Sequence, residues 1–371
     1  MKYQDEYRDR DVVQGLARSI VREASELAEP VRFMEVCGTH TMAIAQHGLK
    51  SLLPPQVRLV SGPGCPVCVT PVDYIDHALA LAVDSRNIIA TFGDLLRVPG
   101  SRSSLMLERA KGADIRIVYS PLESVKLARE NPDKRIVFLG VGFETTAPAV
   151  AASVLTAQCA GLTNYFVLAS HKIMPGPMAA LSSDPQLRVR GYLCPAHVST
   201  VIGGIGYQHL VDSYHIPCVV TGFEPADVMQ GILWLLRQHL AGTARVEIQY
   251  ARAVTWHGNP KAQALLRELF EPYDAVWRGL GSLPESGLAF REEFAAFDAA
   301  RMLPVELPEP LEPAGCRCGE VLTGRIDPVH CPLFGTACTP ETPVGACMVS
   351  SEGSCAAAWR YGANSEPEGA V

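Results

Sequence analysis

The residues of this sequence that could do chemistry are mainly sulfurs, and they fall into two groups. Towards the start, Cys65-Pro66-Val67-Cys68 forms a C-x-x-C set behind Gly62-Pro63-Gly64, downstream of Cys37-Gly38-Thr39-His40-Thr41. Two such thiols can close a disulfide, share a metal or lower one another's pKa. Proline fixes φ and glycine supplies backbone angles that other residues avoid, so a fixed turn that aims both thiols is expected. Towards the end, six of the twelve cysteines lie between Cys316 and Cys355. Cys316, Cys331, Cys338 and Cys355 give C-x14-C-x6-C-x16-C, with Cys318 and Cys347 as competing candidates. Four thiolates from separate loops suit a [4Fe-4S] cube, but tetrahedral zinc accepts the same donors, so spacing leaves both open.

The elements that must position these residues can be read from hydrophobic periodicity. Val12, Val13, Leu16, Ile20, Val21 and Leu27 recur at helical spacing, which predicts an amphipathic helix within residues 1–29, stopped by Pro30. A unit then repeats in which a short apolar strand runs into a polar loop. Residues 31–36 lead to Cys37-Gly38-Thr39-His40, 87–92 to Gly93-Asp94, and 135–140 to Gly142-Phe143-Glu144-Thr145-Thr146. Further on, 165–169 lead to Ser170-His171-Lys172, 191–193 to Cys194-Pro195-Ala196-His197-Val198-Ser199, and 217–220 to Thr221-Gly222-Phe223-Glu224. Helical stretches at 105–111, 122–130, 147–160 and 225–240 fall between them.

This alternation predicts an α/β fold: two lobes of parallel sheet with flanking helices built from βαβ units, followed by a small irregular C-terminal domain. The expected division is an N-terminal helix (1–29), α/β domain 1 (30–134) with Cys37 and Cys65/Cys68, α/β domain 2 (135–240), and 241–371 as a helical linker region and cysteine-rich domain. In parallel sheets ligands sit beyond the carboxyl ends of the strands, so the polar loops are expected to line one cleft. The cysteine-rich tail has too little apolar area for a core of its own, which calls for a metal centre.

Composition narrows the function classes. A formal charge of −7, pI near 5.8 and dispersed Lys and Arg leave no basic footprint for nucleic acid. Apolar runs fall well short of the roughly 20 residues that cross a bilayer, and the polar start is unlike a signal peptide, so a cytoplasmic protein is expected. Cysteines there serve metal or redox chemistry more often than disulfide frameworks. Glu144, Thr145, Thr146, His197 and Ser199 are further polar candidates, with Thr145 or Thr146 also able to cap the helix at Ala147. Asp94 and His171 occupy equivalent loops, and Cys159, Cys194 and Cys218 read as small buried hydrophobes.

Taken together in order, Cys37-Gly38-Thr39-His40-Thr41, Gly62 to Cys68, Gly142 to Thr146, Pro195 to Ser199, Cys331-Pro332-Leu333-Phe334-Gly335 to Pro340 and Cys347 to Gly353 resemble the HypD family of [NiFe]-hydrogenase maturation factors. The likeness runs from about Phe33 to Tyr361. It implies a scaffold for assembling the Fe(CN)2CO unit of hydrogenase, working with a HypC-type chaperone that brings iron and a HypE-type partner that delivers cyanide as a protein thiocyanate. It also implies a [4Fe-4S] cluster in the C-terminal domain, favouring iron–sulfur over zinc for Cys316, Cys331, Cys338 and Cys355. On this reading Cys37 holds the iron as a thiolate stabilised by backbone N–H groups, and His40 orients it, accepts its proton or contacts a cyanide nitrogen. Cys65 and Cys68 cycle between disulfide and dithiol, while Glu144, Thr145, Thr146 and His197 contact cyanide or the partner's tail. The competing class is a thiol–disulfide oxidoreductase whose tail holds structural zinc.

Overall fold

The computed structural model describes residues 5–362. Short runs rich in Val, Ile, Leu and Phe, flanked by helices, form two parallel sheets whose central strands are buried on both faces. The strands are β1 (Val31–Glu35), β2 (Val57–Ser61), β3 (Asn87–Thr91), β4 (Ile115–Ile117), β5 (Arg135–Gly142), β6 (Tyr165–His171), β7 (Val189–Pro195), β8 (Cys218–Thr221) and β9 (Val246–Ile248), followed by the hairpin β10 (Phe270–Trp277) and β11 (Gly281–Phe290). The first sheet has the order β2-β1-β7-β8-β9 and the second β4-β3-β5-β6. Every pairing within these two sheets is parallel, as expected from the alternation.

The sheets do not follow the division expected from the sequence. The second sheet is inserted between β2 and β7 of the first, so β1 pairs with β7 across the whole insertion, with Met34 opposite Tyr192. A boundary between residues 134 and 135 falls inside the second sheet, between β4 and β5. The two lobes share one local period, and nothing in that period says which distant strand completes which sheet. Residues 241–310 are also more than a helical linker. They supply edge strand β9, the helix Pro260–Leu269 and the antiparallel hairpin, whose turn contains Gly279 and Gly281 in the left-handed region.

Both sheets reverse their strand order at one point, between β1 and β7 in the first and between β3 and β5 in the second. Loops diverge there at the carboxyl ends, leaving a crevice. The N-terminal helix Arg10–Ala24 starts from Asp9, whose carboxylate accepts the N–H groups of Asp11 and Val12. It buries Val13, Ala17, Ile20 and Ala24 against the helix Pro225–Leu240 over the first sheet. The cysteine-rich tail is irregular apart from the short helices Cys318–Leu322, Ala346–Val349 and Ser354–Tyr361 and the 3-10 turn Pro328–His330. Among the described residues no helix is long and apolar enough to cross a membrane.

Candidate functional site

Cys37 lies just past the end of β1, at the reversal point of the first sheet, in the position that precedes the helix Gly38–Gln46. Its N–H donates to Glu35 Oε2 at 3.1 Å, and Thr41 Oγ1 donates to Glu35 Oε1 at 2.6 Å. Glu35 is buried, and burial pushes its carboxyl up to about 7. The Cys37 thiol is pushed up to about 12, first by burial and further by the charges of Glu352 and Glu35. The backbone N–H groups of His40 and Thr39 pull the other way and lose. Without a cation beside it, burial favours the thiol form of Cys37.

His40 is fully buried beside this turn, and burial lowers its pKa to about 4, so the ring is neutral. Its Nε2 lies 3.0 Å from the carbonyl of Gly222, 3.3 Å from that of Thr221 and 3.0 Å from Thr221 Oγ1. Carbonyl oxygens only accept, so Nε2 carries the proton and Nδ1, buried without a partner, is left as a bare acceptor. Phe223 packs against both His40 and His197, with ring centroids 4.8 and 4.4 Å apart. His197 lies in the first turn of the helix Ala196–Ile202 after β7 and is exposed. The Gly222 turn is held from behind. Gln249 Oε1 accepts the Gly222 N–H, and Gln249 and Arg252 both donate to the buried carboxylate of Asp227. No sequence reading singled out this support, because Asp227, Gln249 and Arg252 meet only through the pairing of β8 with β9.

The C-x-x-C turn stands against the same backbone. Gly62 N–H donates to the carbonyl of Glu35, and Gly38 N–H to that of Gly64. A side chain at Gly64 would overlap the backbone of Val36 and Cys37, which is why glycine is required there. Cys65 and Cys68 form a disulfide around the short helix Pro66–Val69, and both are buried. Cys68 Sγ lies 4.0 Å from the carbonyl of Ala346, the residue before Cys347.

All six tail cysteines line a single small cavity with Leu333, Phe334 and Met348. Cys318 and Cys347, the competing candidates, thus stand beside Cys316, Cys331, Cys338 and Cys355. Hydrogen bonds from Cys316 and Cys347, helped by the Arg278 charge, pull the Cys318 thiol well below its ordinary value, while Cys316 and Cys347 move up. Among the described residues no three side chains already stand in metal-ligand geometry. The donor set is nevertheless sulfur alone, with no carboxylate or imidazole lining the cavity, and that chemistry fits a soft iron–sulfur centre.

The tail also reaches the Cys37 turn directly. Thr39 Oγ1 donates to Glu352 Oε1 at 2.8 Å, and Gly38 presses on Glu352 so closely that a Cβ would collide with it. The cysteine-bearing helix Ser354–Tyr361 packs on the helix Gly38–Gln46. Glu352 lies within the stretch that carries the family resemblance, but only the folded chain shows that it contacts the Cys37 turn.

Other candidates have structural partners. Glu144, at the end of β5, accepts the Met174 N–H at 3.0 Å and is raised to about 7 by burial. Thr146 occupies the capping position of the helix Ala147–Cys159, yet its hydroxyl bonds back to the Phe143 carbonyl instead of to a helical N–H. Thr145 is exposed, and Ser199 is buried with its hydroxyl on Pro195 and Tyr207. Asp94 is exposed, and His171 is buried against Phe270 with neither ring nitrogen partnered. Cys194 and Cys218 are buried as expected, but Cys159, the last residue of its helix, is exposed.

The sequence matches the HypD family model, described as the hydrogenase formation hypA family, over residues 11–362. The chain belongs to the HypD family of hydrogenase maturation factors. It is 47% identical to the hydrogenase maturation factor HypD of Rhizobium leguminosarum bv. viciae, covering 98% of this chain and 96% of the relative. The HypD of Rhodobacter capsulatus is 45% identical, with 98% of each chain covered, and that of Escherichia coli 42% identical, with 97% and 98% covered. The HypD assignment thus spans both sheets and the cysteine-rich tail.

Proposed function

We propose that this HypD-family chain is the scaffold on which the Fe(CN)2CO unit of a [NiFe]-hydrogenase is assembled. Its partners are a HypC-type chaperone that brings the iron and a HypE-type donor that delivers cyanide. The observation that carries this reading is the setting of Cys37: a buried free thiol at the reversal point of a parallel sheet, on the turn that also carries buried His40, and in backbone contact with a disulfide turn.

The chemistry follows from the proton inventory. A thiol raised to about 12 ionises when the iron cargo supplies the missing positive charge, and the proton leaves to solvent. With its proton on Nε2, His40 accepts and does not donate towards a cyanide nitrogen. Exposed His197, across Phe223, is the imidazole free to donate. Reduction of the Cys65–Cys68 disulfide consumes two electrons and two protons and yields two thiols. A [4Fe-4S] cluster held by Cys316, Cys331, Cys338 and Cys355 supplies one-electron chemistry when bound. The contact of Cys68 with Ala346 sets the dithiol turn against that domain.

Infrared spectroscopy of the chaperone complex tests the scaffold. Bands of iron-bound cyanide and carbonyl are expected in the wild type and absent in Cys37→Ser; their persistence in the variant would remove Cys37 as iron ligand. Anaerobic protein should be brown with about four irons per chain, whereas colourless protein with a single zinc would favour the oxidoreductase reading. Serine at Cys65 or Cys68 should abolish maturation with the cluster spectrum intact, and normal hydrogenase activity in such a variant ends the redox role.

A further inference from the structure

A second cleft, of about 730 Å3, opens at the opposite edge of the first sheet, around the amino-terminal ends of β7 and β8. Its volume falls in the range of about 300–1,000 Å3 typical of small-molecule sites. Four cationic or cationisable side chains line it: Arg188, Arg190, His215 and His239. The one acid in its lining, Asp184, is already engaged by Arg325 at 2.6 Å and by the Gln186 N–H at 2.8 Å. Among the described residues no hydrogen bond or ion pair reaches the guanidinium of Arg188 or of Arg190. In a chain of net charge −7, two unpaired guanidiniums around one concavity form a local field of the opposite sign.

The backbone makes an independent observation. Three non-glycine residues among those described have positive φ, and two of them, Arg188 at 49° and His215 at 52°, line this cleft. Left-handed backbone is unfavourable for an ordinary residue and tends to collect at binding sites. Arg188 takes it one residue before β7, and His215 takes it where it caps the helix Gln208–Tyr214, and both line the cleft. The Arg190 charge also presses on half-buried His239, whose pKa is lowered mainly by burial.

We propose that this cleft binds a phosphate-bearing small molecule. A single carboxylate satisfies one guanidinium fork, which would leave the second guanidinium without counter-charge. A phosphate carries up to two charges and three acceptor oxygens, enough to meet two forks and an imidazole N–H. The site is separate from the Cys37 edge and holds whether or not the scaffold reading does.

Isothermal titration of the full chain at moderate salt tests the proposal, with inorganic pyrophosphate as probe. Saturable binding is expected, weakened about tenfold or more in the double variant Arg188→Asn/Arg190→Gln, as for loss of charged hydrogen bonds. Asparagine is chosen at 188 because it tolerates the left-handed backbone. The variant Arg58→Gln, on β2 away from the cleft, should bind as the wild type does. An AMP arm separates the sources: tighter binding than phosphate, lost in the same double variant, identifies a nucleotide, and equal binding identifies the phosphate group alone. The proposal is overturned if pyrophosphate does not saturate at millimolar concentration, if the double variant binds unchanged, if citrate binds as tightly as pyrophosphate, or if adenosine binds as tightly as AMP.

Discussion

The two parallel sheets follow one plan and finish differently. Each reverses its strand order at one point, and each carries a Gly-Phe-Glu turn, Gly222-Phe223-Glu224 after β8 and Gly142-Phe143-Glu144 after β5. In the first sheet Phe223 is half-buried between two imidazoles, and Glu224 reaches outward to Arg8. In the second, Phe143 stacks on Trp277 of the hairpin, and Glu144 is buried on the Met174 N–H. The hairpin covers the second edge, sealing in His171 and Lys172, whose amine is drawn down to about 8 by burial. The difference teaches that equivalent loops become a reactive edge or a structural one according to what packs over them. The first edge meets the cysteine-rich tail and keeps a free thiol; the second meets the hairpin.

The largest effect that sharpens this contrast is Cys37→Ser. Hydrogenase maturation should fall to background while the thermal midpoint shifts by no more than a few degrees, measured by activity of the target hydrogenase and by circular dichroism. A matched pair of phenylalanine truncations comes next. Phe143→Ala should cost about 3–5 kcal/mol of stability as a core cavity, and Phe223→Ala less than half of that with a larger loss of maturation; equal stability costs in denaturant titrations would break the comparison. Gly64→Ala, which drives a methyl into the Cys37 backbone, should cost about 1–3 kcal/mol and lower maturation. Gly93→Ala on the second edge meets only Ile117 at 3.9 Å and should change neither.

The smallest effect is a pH dependence. Folding raises Glu144 from the ordinary 4.5 to about 7, so the folded chain holds a proton that the unfolded chain releases. The stability this confers is complete below about pH 4.5 and lost as pH rises through 7. Glu144→Gln should flatten that decline by on the order of 1–2 kcal/mol between pH 5 and 8, read from denaturant midpoints across the range. An unchanged slope would show that Glu144 is not the group responsible.

Much of this was legible in the chain. The strand-then-loop units at 31–36, 87–92, 135–140, 165–169, 191–193 and 217–220 all contain strands of the structure, and the helices at 105–111, 122–130, 147–160 and 225–240 lie within a residue or two of those observed. Cys37, His40 and the Cys65–Cys68 turn converge, and so do the tail cysteines. The hairpin of 270–290 was missed, although the glycines of Arg278-Gly279-Leu280-Gly281 are a turn signal, because β10 is mostly exposed and lacks a clean alternation. Glu352, Asp227 and Arg252 were missed for a different reason. Their partners lie far away in sequence, and a charged residue read alone looks like solvated surface.

By itself the sequence determined the local chemistry: which residues are soft ligands, and where a strand ends in a turn. These depend on side-chain type and on backbone sterics over a few residues, so they are already present in the unfolded chain. Only the tertiary structure decided that the first sheet closes around an inserted second one, that the hairpin seals one edge while the tail approaches the other, and that burial favours the thiol form of Cys37. Those outcomes depend on burial and on charges brought together across hundreds of residues, and desolvation acts only once the chain has folded around the group.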